Sequence, residues 1–159
     1  MSRRFRCLPR RPGAFAIILA GLLTGCGPQS NPTPTSRVYL SEICAAGQSG
    51  LPDERGDHPD WIELYNPGPV PVALEGWSLT DNPHQLRKWT FPAVSVPARG
   101  FLMVYASGRN RAVPGQPLHT NFRLNPRGEY LGLLSPNAAH AVDEFQPRYP
   151  RQQIGRAHV

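Results

Sequence analysis

Trp61-Ile62-Glu63-Leu64-Tyr65-Asn66 is the stretch that decides the fold. Successive side chains of an extended chain point to opposite sides, so Trp61, Glu63 and Tyr65 share one face while Ile62 and Leu64 share the other. One face is purely aliphatic and the other mixes two aromatic rings with a carboxylate. A strand with both faces partly covered is expected. It ends at Asn66-Pro67-Gly68, whose residue types favour a turn.

The next segment outward is Leu74-Glu75-Gly76-Trp77-Ser78-Leu79-Thr80-Asp81. Gly76 permits a bulge or a close backbone approach before Trp77 enters the core. Beyond these segments apolar residues recur in short runs broken by Pro, Gly, Asn and Asp, with no sustained helical period. Strands are predicted at 38–44, 61–66, 72–79, 87–91, 101–106, 119–122, 130–134 and 141–145. Short strands at such spacing predict an all-β sandwich or small barrel over residues 37–147. Its core area would come largely from Trp61, Tyr65, Trp77, Trp89, Phe91, Phe101, Tyr105 and Phe122.

The flanks read differently. Arg3, Arg4, Arg6, Arg10 and Arg11 precede the apolar run 14–24 with no acid among them, the charge pattern of a signal peptide over 1–25. As a helix the run spans roughly 16 Å, short of the about 20 residues that a hydrocarbon core needs. It closes in Leu23-Thr24-Gly25-Cys26, which resembles a bacterial lipobox: cleavage between Gly25 and Cys26 would leave the Cys26 thiol to receive diacylglycerol. The alternative is an ordinary secretory signal that happens to hold a cysteine. Multiple acyl chains anchor a protein stably where one does not. Export through the general secretory route is favoured, with Arg3-Arg4 keeping a twin-arginine route open. Residues 26–36, rich in Pro, Ser and Thr, form a tether.

The chain of 159 residues carries a formal charge of +6, which at face value favours an acidic partner. All eleven acids follow residue 26, and five of the seventeen basic residues lie in the leader, leaving twelve against eleven. Nucleic acid is therefore not expected as a partner. Cys7 departs with the leader and Cys26 is acylated, so Cys44 remains as a lone thiol, best placed in the apolar strand as core. Residues 148–159 are expected to be an unstructured tail. Its last part, 153–159 (QIGRAHV), looks like the translation of a sequencing adapter, so that the natural chain is expected to continue past residue 152; a genuine short tail is the alternative.

WIELYN, then LEGWSLTD, then Phe91-Pro92, then Phe101-Leu102-Met103-Val104-Tyr105 together resemble the bacterial lamin-tail domain. Trp61, Glu63, Leu64, Tyr65, Asn66, Gly76, Trp77, Leu79 and Asp81 carry the motif pair. The resemblance implies an immunoglobulin-like β-sandwich for interaction or display, without catalytic residues of its own. Ser107-Gly108-Arg109-Asn110, Leu118-His119-Thr120-Asn121-Phe122 and Gly128-Glu129-Tyr130-Leu131 are similar to the lamin-tail domains that precede a spore-coat-type kinase domain. That similarity implies a larger secreted enzyme, a kinase or a hydrolase, as the alternative to a self-standing anchoring module.

Chemistry beyond folding is sparse. Residues 53–60 hold four carboxylates, and Asp53, Asp57 and Asp60 form a weak calcium candidate whose spacing does not match an EF-hand; a solvated acidic loop is the alternative. His58, His84, His119 and His140 lack zinc spacing and read as surface or structural residues. No GxSxG, P-loop or GxGxxG is present, and no cofactor is expected apart from the acyl lipid on Cys26. Arg87-Lys88 beside Trp89, with Arg109 and Arg111, offer at most a small basic patch. The expected partners are the membrane, through the lipid, and a protein or cell-envelope polymer.

Overall fold

The computed structural model describes residues 8–9, 38–45, 51–146 and 148–149. Gly25 and Cys26, the apolar run, the tether and the segment 150–159 lie outside the described residues. All regular elements among those described are strands: β1 Leu8–Pro9, β2 Tyr39–Cys44, β3 Asp60–Tyr65, β4 Val72–Ala73, β5 Ser78–Thr80, β6 Trp89–Thr90, β7 Ser95–Val96, β8 Phe101–Ala106, β9 Leu118–His119, β10 Leu131–Leu134 and β11 Asp143–Phe145. They form a five-stranded sheet ordered β1-β2-β3-β8-β9, a four-stranded sheet ordered β11-β10-β5-β6, and the pair β4-β7. Pairing is antiparallel except for β8 with β9, which is parallel. The architecture is the immunoglobulin-like β-sandwich. β1, which lies within the leader read from the sequence, pairs with Glu42 and Ile43 at the sheet edge.

The aliphatic face of β3 points into the sandwich. Ile62 and Leu64 are fully buried with Leu40, Ile43, Val104, Leu79, Leu131 and Leu133, and Trp89 and Phe91 close the same core. Fully burying such a side chain stabilises by about 1.5–3 kcal/mol, so this face is the main source of folding energy. A bulge between Leu40 and Glu42 lets Leu40 and Ile43 both face inward although an odd count separates them. The Leu40 amide donates across to Asp143 Oδ2 at 2.8 Å, tying β2 to the end of the other sheet.

Three expectations need correction. The strand predicted over 72–79 is two strands in different sheets, because the chain turns at Gly76, whose φ of +76° suits glycine. Trp77 N donates to Leu74 O at 2.9 Å across that turn. Trp77 consequently packs half-buried against the core margin and does not enter the core. β7 was not predicted: Ser95–Val96 pairs with β4 and buries Val96 against Val72, too short a run to announce itself.

The third correction concerns the boundary at 147, after which a tail was expected. Tyr149 is fully buried. Its amide donates to Glu129 O at 2.9 Å, its hydroxyl to Asn125 O at 2.9 Å, and its ring meets Phe145 edge-on. The sandwich therefore extends through Tyr149, one aromatic side chain having more to bury than the surrounding prolines and arginines reveal.

Candidate functional site

The outer face of the five-stranded sheet carries the chemistry. Cross-strand register arranges its side chains in three rows: Cys44, Trp61 and Tyr105; Glu42, Glu63 and Met103; Tyr39, Tyr65 and Phe101. The first row continues to His119 through the parallel register of β8 and β9, and the Tyr105 and His119 rings stack at 5.1 Å.

The first row is covered. Cys44, Trp61 and Tyr105 form a second, smaller cluster of buried residues, with Met103 packed against it, as a core position for Cys44 requires. The roof is the acidic loop. Tyr105 Oη donates to Pro52 O at 2.8 Å. Asp53 Oδ1 accepts the amides of Arg55 at 2.8 Å and Asp57 at 3.1 Å, which shapes the turn locally. Asp53 Oδ2 takes Arg109 Nη1 at 2.6 Å, and Asp57 takes Nη2 of the same guanidinium. Glu54 Oε1 stands 2.6 Å from Arg111 Nη2, and Glu54 Oε2 stands 3.1 Å from His119 Nε2. Arg111 and His119 are held opposite one another by reciprocal backbone bonds of 2.8 and 2.9 Å.

Burial pushes the Asp53 carboxyl up, but the amides of Arg55 and Asp57 and the Arg109 charge outweigh it and leave it below the ordinary range. Glu54 is drawn down to about 2: burial opposes the shift, and its own amide, His119 and Arg111 prevail. Burial first, then the charges of Asp53 and Glu54, raise the Tyr105 hydroxyl. Ionised Glu54 accepts from His119 Nε2, and the ring's Nδ1 is hydrogen-bonded to the Ser107 hydroxyl, 2.8 Å away. Ser107 Oγ in turn accepts the Arg109 amide at 3.2 Å. This serine, histidine and carboxylate line joins loop to strand. His119 has no exposed surface and Tyr105 lies on its ring.

Ligand-type atoms of Asp53, Glu54 and His119 lie within 4.8 Å of one another, the one such group among the described residues. Two guanidinium groups already supply positive charge there. The calcium candidates do not converge: Asp53 and Asp57 share Arg109, while Asp60 Oδ2 accepts the Leu124 amide at 3.3 Å. The basic patch dissolves in the same way. Arg109 and Arg111 are spent on the acidic loop, and Lys88 Nζ sits 2.6 Å from Asp81 Oδ1, over the Phe122 ring. Beside the network a cleft of about 600 Å³ opens between Asp57, Asp60, Ser107, Arg109 and Arg123, lined by charges of both signs.

The motif residues divide by role. Leu64 and Leu79 are core. Asn66, with no exposed surface, donates from Nδ2 to Val70 O at 2.8 Å and Pro97 O at 3.0 Å, and accepts the Gly68 amide at 2.9 Å, so it ties two turns together. Glu63 and Tyr65 lie on the open part of the outer face. Glu63 Oε1 accepts Ser41 Oγ at 2.7 Å, and the Tyr65 ring stacks on Phe101 at 4.7 Å. Phe101 is 56% exposed, because β9 pairs only with Val104 and Tyr105 and leaves that end of β8 uncovered. Sequence reasoning placed these two rings in the core and missed both the aromatic row and the partners of the acidic loop. Alternation in WIELYN gave Tyr65 its face, but which part of that face a loop covers depends on contacts made far along the chain.

Among known proteins, the model of the Lamin Tail Domain family matches residues 31–147. No curated protein matches the chain.

Proposed function

The chain belongs to the lamin tail domain family, and from that premise we propose that it is a non-catalytic interaction and anchoring module of an exported, lipid-anchored envelope protein. The observation that carries the interaction role is the stacked pair of Tyr65 and Phe101 on the outer face, the Phe101 ring exposed. The first row of that sheet face is roofed by the acidic loop, whereas Phe101, at the far end of β8, is 56% exposed and offers apolar surface to a partner. Anchoring rests on Leu23-Thr24-Gly25-Cys26 behind the basic and apolar leader. Residues 26–36 then space the sandwich from the lipid surface.

The test is acylation. In a bacterial host fed labelled palmitate, the chain is expected to take up label and stay with the membrane fraction, and Cys26→Ala to lose both. Unlabelled wild-type protein would overturn the anchoring reading. A second reading, an accessory domain of a larger secreted kinase or hydrolase, is favoured by Ser107-Gly108-Arg109-Asn110 and Leu118-His119-Thr120-Asn121-Phe122. The genomic sequence past residue 152 tests it: a kinase domain there supports the second reading, an early stop codon the first.

A further inference from the structure

The cleft beside the acidic loop holds a guanidinium that no carboxylate answers. At about 600 Å³ the cleft falls inside the range of about 300–1,000 Å³ that small ligands fill, and Asp57, Asp60, Ser107, Arg109 and Arg123 line it. Its two arginines differ. Arg109 spends Nη1 on Asp53 and Nη2 on Asp57. Arg123 makes no ion pair among the described residues: its Nε donates to Ser107 O at 3.1 Å, which leaves both Nη groups uncommitted.

That guanidinium is also held in place. Ser107 and Arg123 are bridged antiparallel, and the Gly108 amide donates to Phe122 O at 3.1 Å. The Arg123 side chain then runs over Gly108, where a Cβ would touch its Nε and Cγ at 3.7 and 3.8 Å. With the stem and Nε fixed, the two Nη groups form a planar fork whose geometry matches a carboxylate.

The rest of the lining limits what that anion can be. Asp57 gives one oxygen to Arg109, its other oxygen has no partner among the described residues, and its side chain is 65% exposed. Asp60 stands in the same cleft. A phosphate dianion, or a repeating polyanion such as nucleic acid, would bring its further charges against these acids. A group with one negative charge and N–H donors close behind it suits both signs.

We propose that the cleft binds the free C-terminal carboxylate of a peptide, with Arg123 holding the carboxylate and Asp57 accepting from an N–H group of the same peptide. This chemistry has two sources: a cell-wall stem peptide, which ends in a D-residue, and the tail of another protein, which ends in an L-residue. Only the first source rests on the envelope reading above.

Titration calorimetry on the full chain in detergent tests it, with diacetyl-Lys-D-Ala-D-Ala, its all-L counterpart and the C-terminal amides of both. At least one free acid is expected to bind, and its amide to bind at least about tenfold more weakly. Arg123→Gln should weaken binding of that acid by a similar factor while melting as wild type does, and Arg123→Lys, which keeps the charge without the fork, should fall between. A preference for the D-ended peptide identifies the wall as the source, a preference for the L-ended one a protein tail, and equal affinity shows that the carboxylate alone is read. The proposal is overturned if neither acid binds, if amide and acid bind alike, or if folded Arg123→Gln binds as wild type does. Inorganic phosphate or a single-stranded oligonucleotide binding more tightly than either acid would overturn it as well. Should Arg123→Gln not fold, the comparison of acid with amide on wild-type protein decides. Failure of the anchoring reading appears as unlabelled Cys26 and leaves peptide binding untouched, so the two failures are separable.

Discussion

Arg109 reaches 56 residues back along the chain to Asp53, its Nη1 standing 2.6 Å from Oδ2, and so fastens the acidic loop over Trp61, Tyr105 and Cys44. The Asp53 side chain has no exposed surface, while Arg109 keeps 25% of its own in solvent. Removing one partner of a deeply buried pair costs about 3–5 kcal/mol, and solvent at Arg109 discounts this to about 2 kcal/mol. Arg109→Ala should lower the melting temperature by about 8 °C or more, since 1 kcal/mol corresponds to at least about 4 °C in a domain of this size. The loop should also open to protease before the core does. A melt within a degree of wild type would show that the pair contributes nothing.

The same network gives the protein an acid limb. The folded state holds Asp53 and Glu54 below their ordinary values, Glu54 at about 2 against 4.5. The unfolded chain thus binds protons first as pH falls. The stability these carboxylates contribute is complete above about pH 5, is lost as pH falls from about 4.5 to about 2, and is absent below that. Glu129 runs the other way: burial raises it, against the Asn125 amide and the Tyr149 hydroxyl, so its ionisation opposes folding at neutral pH. Melts of Glu54→Gln should differ from wild type most at pH 7 and converge near pH 2, while Glu129→Gln should melt at or above wild type at pH 7. The opposite ordering of the two variants at pH 7 would refute this assignment.

Asn66 closes WIELYN, and its amide joins the turn after β3 to the one before β8. Asn66→Ala leaves Val70 O, Pro97 O and Gly68 N without that partner, a loss of about 3 kcal/mol at about 1 kcal/mol for each of these partly buried groups. Asn66→Asp keeps the shape but faces acceptor with acceptor. It should be at least as unstable at pH 7 and recover partly in acid, where the protonated carboxyl regains a donor. Denaturant midpoints of both variants at pH 7 and pH 4 check this, and an acid-insensitive Asn66→Asp would count against the role of the donor.

What the sequence discloses follows the range of the interaction. Alternation in residues 61–65 assigns each face of β3, and Phe101–Ala106 was predicted to its last residue, because period and turn chemistry are local. Gly76 was legible as a special backbone position, but whether the chain bulges or turns there is decided by pairing: Gly76 N donates to Phe91 O, and β5 leaves for the other sheet. Asp53, Glu54, Arg109, Arg111 and His119 were visible as charges and not as one network, since loop closure over 56 residues leaves no periodic trace. Tyr65 and Phe101 were read as core for the same reason: aromatic rings usually are, and only the reach of the loop decides which of a row stays uncovered.

Tyr149 offers the sharpest test of where the domain ends. Its ring is fully buried against Phe145, and its carbonyl passes so close to Gly128 that a Cβ there would lie 2.2 Å from the oxygen. Gly128 also has a φ of +89°, so Gly128→Ala meets a clash and an unfavourable backbone together. Truncating a buried aromatic costs about 3–5 kcal/mol, which Tyr149→Ala should show in full. Tyr149→Phe keeps the packing but strands Asn125 O, and should cost about 1 kcal/mol. If residues after 147 were an appendage, Tyr149→Ala would melt with wild type and Gly128→Ala would show only the cost of its positive φ. If Tyr149 seals the sandwich, both should fall well below Tyr149→Phe, and Tyr149→Ala should add little once Gly128→Ala has already expelled the ring.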